Sequence, residues 1–142
     1  MLVAIREAAA HGKKYAAQII SNAKAFGQAL TDEGVKVEAQ EFGFTASHQL
    51  AIDVTNFGVA KELSRSLADK SNIITNFNML PWDKDARNPS GLRIGVQEMT
   101  RYGMKEAEMG ELASLMKAGL AGKAVKDEVT KLRSRFTDVL FA

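Results

Sequence analysis

An arginine between two glycines stands out among the residues able to do chemistry. It lies in the run Ser90-Gly91-Leu92-Arg93-Ile94-Gly95. Leu92, Ile94 and Val96 alternate as the inner face of a strand, so Arg93 falls on the opposite face. Gly91 and Gly95 fall on that face too, two residues either side. The spacing predicts a guanidinium on a rigid strand, on a face stripped of neighbouring side chains and open to a small ligand or to other backbone. Such a group suits bidentate capture of a carboxylate. Read locally, the same pattern is first a surface arginine beside glycines that mark a bulge. Asn76 and Asn78 flank Phe77 ahead of Pro81. Their amides offer paired donors and acceptors, yet loop asparagines first of all serve turns. His48 precedes an apolar strand, and a histidine there is more often a hydrogen-bonded edge residue than an acid–base catalyst.

Other chemistries find no residues. The chain has two histidines, His11 and His48, and no cysteine, so thiolate sites, disulfides and a structural zinc are excluded and no metal site is expected. Gly119-Leu120-Ala121-Gly122-Lys123-Ala124 has the wrong glycine spacing for a phosphate loop and no Ser or Thr after the lysine. No Gly-x-Ser-x-Gly elbow occurs. Trp82 is the sole tryptophan, which leaves single-stranded nucleic acid without stacking platforms.

These groups need elements to hold them. Tyr15, Ile19, Ala23, Phe26 and Leu30 form one apolar stripe, which predicts a helix over the first thirty residues with a kink or break at Gly12 and a stop at Gly34. Val35, Val37 and Ala39 then alternate with charged or polar residues, as a strand would. Leu50, Ile52 and Val54 make a second strand, close enough in sequence to be an antiparallel neighbour. Val59, Leu63 and Leu67 mark a short helix, and residues 72–75 a third strand. Residues 76–89 hold both prolines and read as a long, functional loop. The Arg93 strand follows, then a turn near residues 100–103. One helix carries Met109, Leu112, Met116 and Leu120. A last one carries Val125, Val129, Leu132, Phe136 and Leu140. The order α-β-β-α-β-β-α-α predicts an α+β fold, a small antiparallel sheet of three to four strands covered by helices.

The chain has 142 residues, the size of one domain at about 100–200 residues each. Its formal charge of +2 advertises neither nucleic acid nor an anionic membrane. No stretch reaches the roughly 20 apolar residues of a spanning helix, and the start lacks the form of a signal peptide. A cytoplasmic protein is expected, without nucleic-acid or membrane partners.

Asn76-Phe77-Asn78 with Pro81-Trp82-Asp83, followed by Ser90-Gly91-Leu92-Arg93-Ile94-Gly95, resembles the C-terminal domain of the serine hydroxymethyltransferase family. There an Asn-Lys-Asn and Pro-x-Asp segment precedes Ser-Gly-Ile/Leu-Arg-Ile-Gly. Tyr15-Ala16-Ala17-Gln18-Ile19-Ile20-Ser21-Asn22-Ala23-Lys24-Ala25 is similar to a family helix with an Asn-Ala-Lys core. Gly43-Phe44-Thr45-Ala46-Ser47-His48 stands where the family has Gly-Gly-Thr-Asp-Asn-His, before a strand ending in Asp53. Thr100-Arg101-Tyr102-Gly103 resembles its Thr-Arg-x-Gly turn. The resemblance runs in collinear order from about His11 to Leu120.

The resemblance implies a fold-type I enzyme that uses pyridoxal phosphate, held through a lysine, to move a hydroxymethyl group between serine and a tetrahydrofolate carrier. It implies that Arg93 binds the substrate carboxylate and that Asn78 lies near the folate pterin. The family's lysine and phosphate-binding segments belong to a large domain with no counterpart here. The chain is therefore expected to be a single small domain, 1–142, of a larger homo-oligomeric enzyme, to contain no catalytic residue of its own, and by itself to be inactive and bind no cofactor. Phe77 for the usual Lys, Ala46-Ser47 for Asp-Asn, and Val96-Gln97-Glu98 for Thr-Pro-Ala imply a divergent branch, such as an archaeal one. A stand-alone interaction module stays open beside this, as does another fold-type I enzyme such as a threonine aldolase or an aminotransferase.

Overall fold

A single stripe organises the first half of the core. The structure, a computed structural model, describes residues 2–141. Helix α1 (Leu2–Asp32) buries Ile19, Ala23, Phe26 and Leu30 on one side. It runs unbroken through Gly12, against expectation. Ala8, Ala9 and Ala10 precede the glycine and Lys13 and Lys14 follow it, and these strong helix formers carry its cost of about 1 kcal/mol. The helix ends as expected at Gly34, at φ 78°. The Gly34 amide donates to Thr31 (2.9 Å) and the Val35 amide to Leu30 (2.9 Å), a Schellman closure.

Four short strands form one antiparallel sheet: β1 (Lys36–Val37), β2 (Gln49–Asp53), β3 (Asn76–Asn78) and β4 (Gly91–Gly95), in the order β1-β2-β4-β3. The α+β architecture read from the sequence is thus the observed one. Strand β1 is shorter than expected because Ala39 adopts φ 56° and turns the chain into a 3-10 turn at Gln40–Phe42. The third strand lies later than expected. Asn72, at φ 54°, caps helix α2 (Ala60–Ser71) in the left-handed conformation, and the Ile73 amide donates to Leu67 (3.1 Å). The Thr75 carbonyl accepts from the Ser64 hydroxyl (2.8 Å). Residues 72–75 are spent on closing α2, and ladder pairing begins only at Asn76.

Beyond β4 the expected turn contains one short helix, α3 (Gln97–Arg101). Helix α4 (Met109–Leu120) buries Met109, Ala113, Met116 and Leu120. Helix α5 covers Lys126–Ser134, less than expected. Phe136 still packs on the core. The chain after it leaves the helix: the Leu140 amide donates to the Arg101 carbonyl (2.7 Å), and the Phe141 ring meets Tyr15 at 5.1 Å.

Leu50, Ile52, Leu92 and Ile94 form the covered face of the sheet, under α1 and α2, and α4 packs against those two helices. The other face carries Gln49, Arg93, Gly95, Asn76 and Asn78, all exposed. No helix among the described residues is long and apolar enough to cross a membrane.

Candidate functional site

Strand register assembles the polar face. Arg93 on β4 stands opposite Ala51 on β2 and Asn76 on β3. Asn78 stands opposite Gly91, on the same face. Phe77 pairs with Leu92 and so takes the other face, where Lys61 Nζ lies 6.0 Å from its ring centre. The phenylalanine that departs from the family pattern therefore does not stand on the arginine's side of the sheet.

Arg93 is exposed, and among the described residues its guanidinium makes no ion pair or hydrogen bond. It borders a cleft of about 280 Å³ with His48, Gln49, Asn76, Gln97 and Glu98. Asn76 shares this cleft. Asn78 does not line it, and its amide donates to the neighbouring Met79 carbonyl (3.1 Å). His48 reaches the cleft rim, and its carbonyl accepts from the Val96 amide (3.4 Å).

The flanking glycines do not leave the face bare, which corrects the expectation from spacing. A Cβ on Gly91 would come within 2.6 Å of the Leu80 side chain and 3.0 Å of the Asn78 carbonyl oxygen. A Cβ on Gly95 would overlap the Gln97 carboxamide. Each glycine seats a side chain from its own chain, so Leu80 bounds Arg93 on one side and Gln97 on the other. Leu80 is placed by Asp83, whose carboxylate accepts from the Leu80 and Ser90 amides at 2.8 Å each. Hydrogen bonds from Ser90 and Leu80 hold the Asp83 carboxyl below its usual range.

The far end of β4 is pinned by a buried network. The Asn22 side chain, fully buried, donates to the Thr100 hydroxyl (2.8 Å) and the Met104 carbonyl (2.8 Å), and accepts from Gln18 (2.9 Å). The Thr100 hydroxyl donates to the Val96 carbonyl (2.8 Å), just past the strand. The Tyr15 hydroxyl donates to the Gln97 carbonyl (2.7 Å). Burial raises the Tyr15 pKa, with the Arg101 charge opposing and Glu98 adding. Asn22, Thr100, Asp83 and Gln97 are thus the site-shaping residues that spacing did not single out. Asn22 carries a signal of its own, a polar residue in register with the apolar stripe beside Ala23 and Phe26, while Asp83 and Thr100 stand inside the motifs that carry the resemblance.

At the opposite corner of the sheet Asp53 accepts from the Thr55 amide (2.9 Å) and hydroxyl (2.6 Å), with Lys36 Nζ at 3.5 Å. Burial opposes its ionisation, but these bonds outweigh burial and lower its pKa. Among the described residues no group of His, Asp or Glu is placed to hold a metal.

The family model described as serine hydroxymethyltransferase matches residues 1–116. A serine hydroxymethyltransferase of Saccharolobus islandicus is 48% identical over 136 residues, covering 92% of this chain and 31% of the relative. One of Saccharolobus solfataricus is 52% identical over 120 residues, covering 83% and 28%, and one of Pyrobaculum neutrophilum 40% identical over 142 residues, covering 98% and 33%. The chain spans about a third of the length of these curated relatives. The crystal structure of L-threonine transaldolase from Pseudomonas fluorescens superposes with a TM-score of 0.82 at 29% identity, over 99% of this chain and 32% of that one.

Proposed function

The chain belongs to the serine hydroxymethyltransferase family, and on that premise we propose that it is the substrate-carboxylate portion of a pyridoxal phosphate enzyme interconverting serine and glycine with a tetrahydrofolate carrier. The observation that carries the reading is Arg93: an exposed guanidinium without a partner among the described residues, mounted on a central strand and bounded by side chains that the backbone holds in place. Its planar fork matches a carboxylate with two parallel hydrogen bonds, and the sheet holds it without loop motion. Asn76 offers amide groups at the same register, and Asn78, two register pairs further on the same face, is assigned to the carrier's heterocycle.

The cofactor implied by the family is not assigned to residues of this chain. Its chemistry needs a lysine amine and a cradle of phosphate donors, whereas the cleft beside Arg93 is lined by no lysine. The present residues do not fit that group, so their share of the reaction is to bind and orient. The same reading makes the working enzyme a cytoplasmic homo-oligomer and this 142-residue chain inactive alone. Substituting Arg93→Ala in the longer enzyme is expected to abolish saturation by serine. Arg93→Lys is expected to recover little, because a point charge lacks the two-pronged geometry. Normal serine turnover in Arg93→Ala would overturn the assignment. The likeness to a transaldolase favours, as a second reading, aldol-type chemistry without a folate carrier. Assays of the longer enzyme with and without tetrahydrofolate separate the two.

A further inference from the structure

Gln97 is one of four polar side chains in the cleft, with His48, Gln49 and Asn76, that make no hydrogen bond among the described residues, and the one seated over a glycine that flanks Arg93. Its backbone is fixed twice: the carbonyl accepts from Tyr15, and the preceding Val96 carbonyl accepts from Thr100, which Asn22 holds in turn. Its side chain folds back over Gly95, on the face of Arg93, where any residue larger than glycine would displace it. Gly95 lies two residues from Arg93, about 7 Å along the strand, so the carboxamide and the guanidinium border one cleft. Among the described residues the Gln97 carboxamide has no hydrogen-bond partner, and neither has the Arg93 guanidinium. Glu98 also borders the cleft, but an ionised carboxylate has no donor to offer an anion.

We propose that the Gln97 carboxamide is a second donor to the carboxylate held by Arg93, and that Gly95 is glycine in order to seat it. This rests on the reading of Arg93 as a carboxylate site. A carboxylate engaged by a guanidinium fork keeps lone pairs free for a further N–H. A neutral amide can supply that bond without adding charge, and its donor fixes how the carboxylate tilts in the fork. A ligand with an amide in place of the carboxylate gains nothing from the arrangement.

The test uses the 142-residue chain, with side-chain N–H signals of Arg93 and Gln97 followed by NMR during titration with glycine and with glycinamide. Both residues are expected to shift with glycine and neither with glycinamide. Gln97→Met, of equal length but without a donor, is expected to weaken glycine binding about tenfold while leaving the fold's thermal midpoint unchanged. Gly95→Ala is expected to weaken binding to the same degree, with no further loss in the double variant, because both changes remove one contact. If Arg93 shifts with glycine while Gln97 does not, the proposal fails and the Arg93 reading stands. If neither shifts, the proposal fails, and the Arg93 reading is decided separately by Arg93→Ala in the longer enzyme. Wild-type glycine affinity in Gln97→Met also overturns the proposal.

Discussion

Removing the Asn22 side chain tests how the Arg93 strand is held. Asn22 is 0% exposed and lies at the centre of three hydrogen bonds: to the Thr100 hydroxyl, to the Met104 carbonyl and from Gln18. In Asn22→Ala all three vanish. Gln18 keeps Glu106 as a partner (3.0 Å), and the Thr100 hydroxyl keeps Val96. The Met104 carbonyl is left to find another donor in a buried site. At about 1 kcal/mol for each bond, the expected loss is about 3 kcal/mol, most of it from the two buried bonds. For a domain of this size that corresponds to a fall in Tm on the order of 10 °C. The assay is thermal unfolding followed by far-UV circular dichroism. Thr100→Val removes one member of the same network, so the Asn22→Ala/Thr100→Val double variant should lose less than the sum of the two. A Tm within about 2 °C of wild type for Asn22→Ala would refute the reasoning. So would strict additivity, since either result would mean that the network does not hold the end of the strand.

Gly91→Ala forces a methyl group to within 2.6 Å of Leu80, and the expected cost is about 1–3 kcal/mol of overpacking. The loop of residues 79–90 should shift with it, and the sole tryptophan, Trp82, reports that shift. An unchanged Trp82 emission spectrum with an unchanged Tm counts against the seating of Leu80. Asp53 governs part of the acid response. Its folded-state pKa lies below the ordinary 3.8, so its contribution is fully present above that value and is lost as pH falls through the folded value. Asp53→Asn should therefore narrow the Tm difference between neutral pH and about pH 3, and a difference equal to wild type's would contradict the assignment.

The covered parts of the fold were legible because they are periodic. The α1 stripe, the alternation of Leu50 with Ile52 and of Leu92 with Ile94, and the α4 pattern each repeat a local geometry that one side of the molecule must bury. The apolar spacing continues past the end of α5 because Phe136 and Leu140 do touch the body, but through an extended tail. Periodicity records burial and says nothing about the backbone that achieves it. The third strand was misplaced for a related reason: Ile73 and Thr75 are buried in the closure of α2, and their alternation mimics a strand.

By itself the sequence determined the order of the elements apart from the short helix α3, the α+β class, the family membership that the motifs carry, and the outward direction of Arg93, which follows from a period of two. Only the tertiary structure decided what surrounds that arginine. Leu80 and Gln97 cover the two glycines, Asn76 comes level with Arg93 across the ladder, and Asn22 reaches Thr100 across 78 positions of chain. These are contacts between segments whose local patterns are independent. A glycine in the sequence marks a place where a side chain is excluded, and the folded chain alone shows which neighbour fills it.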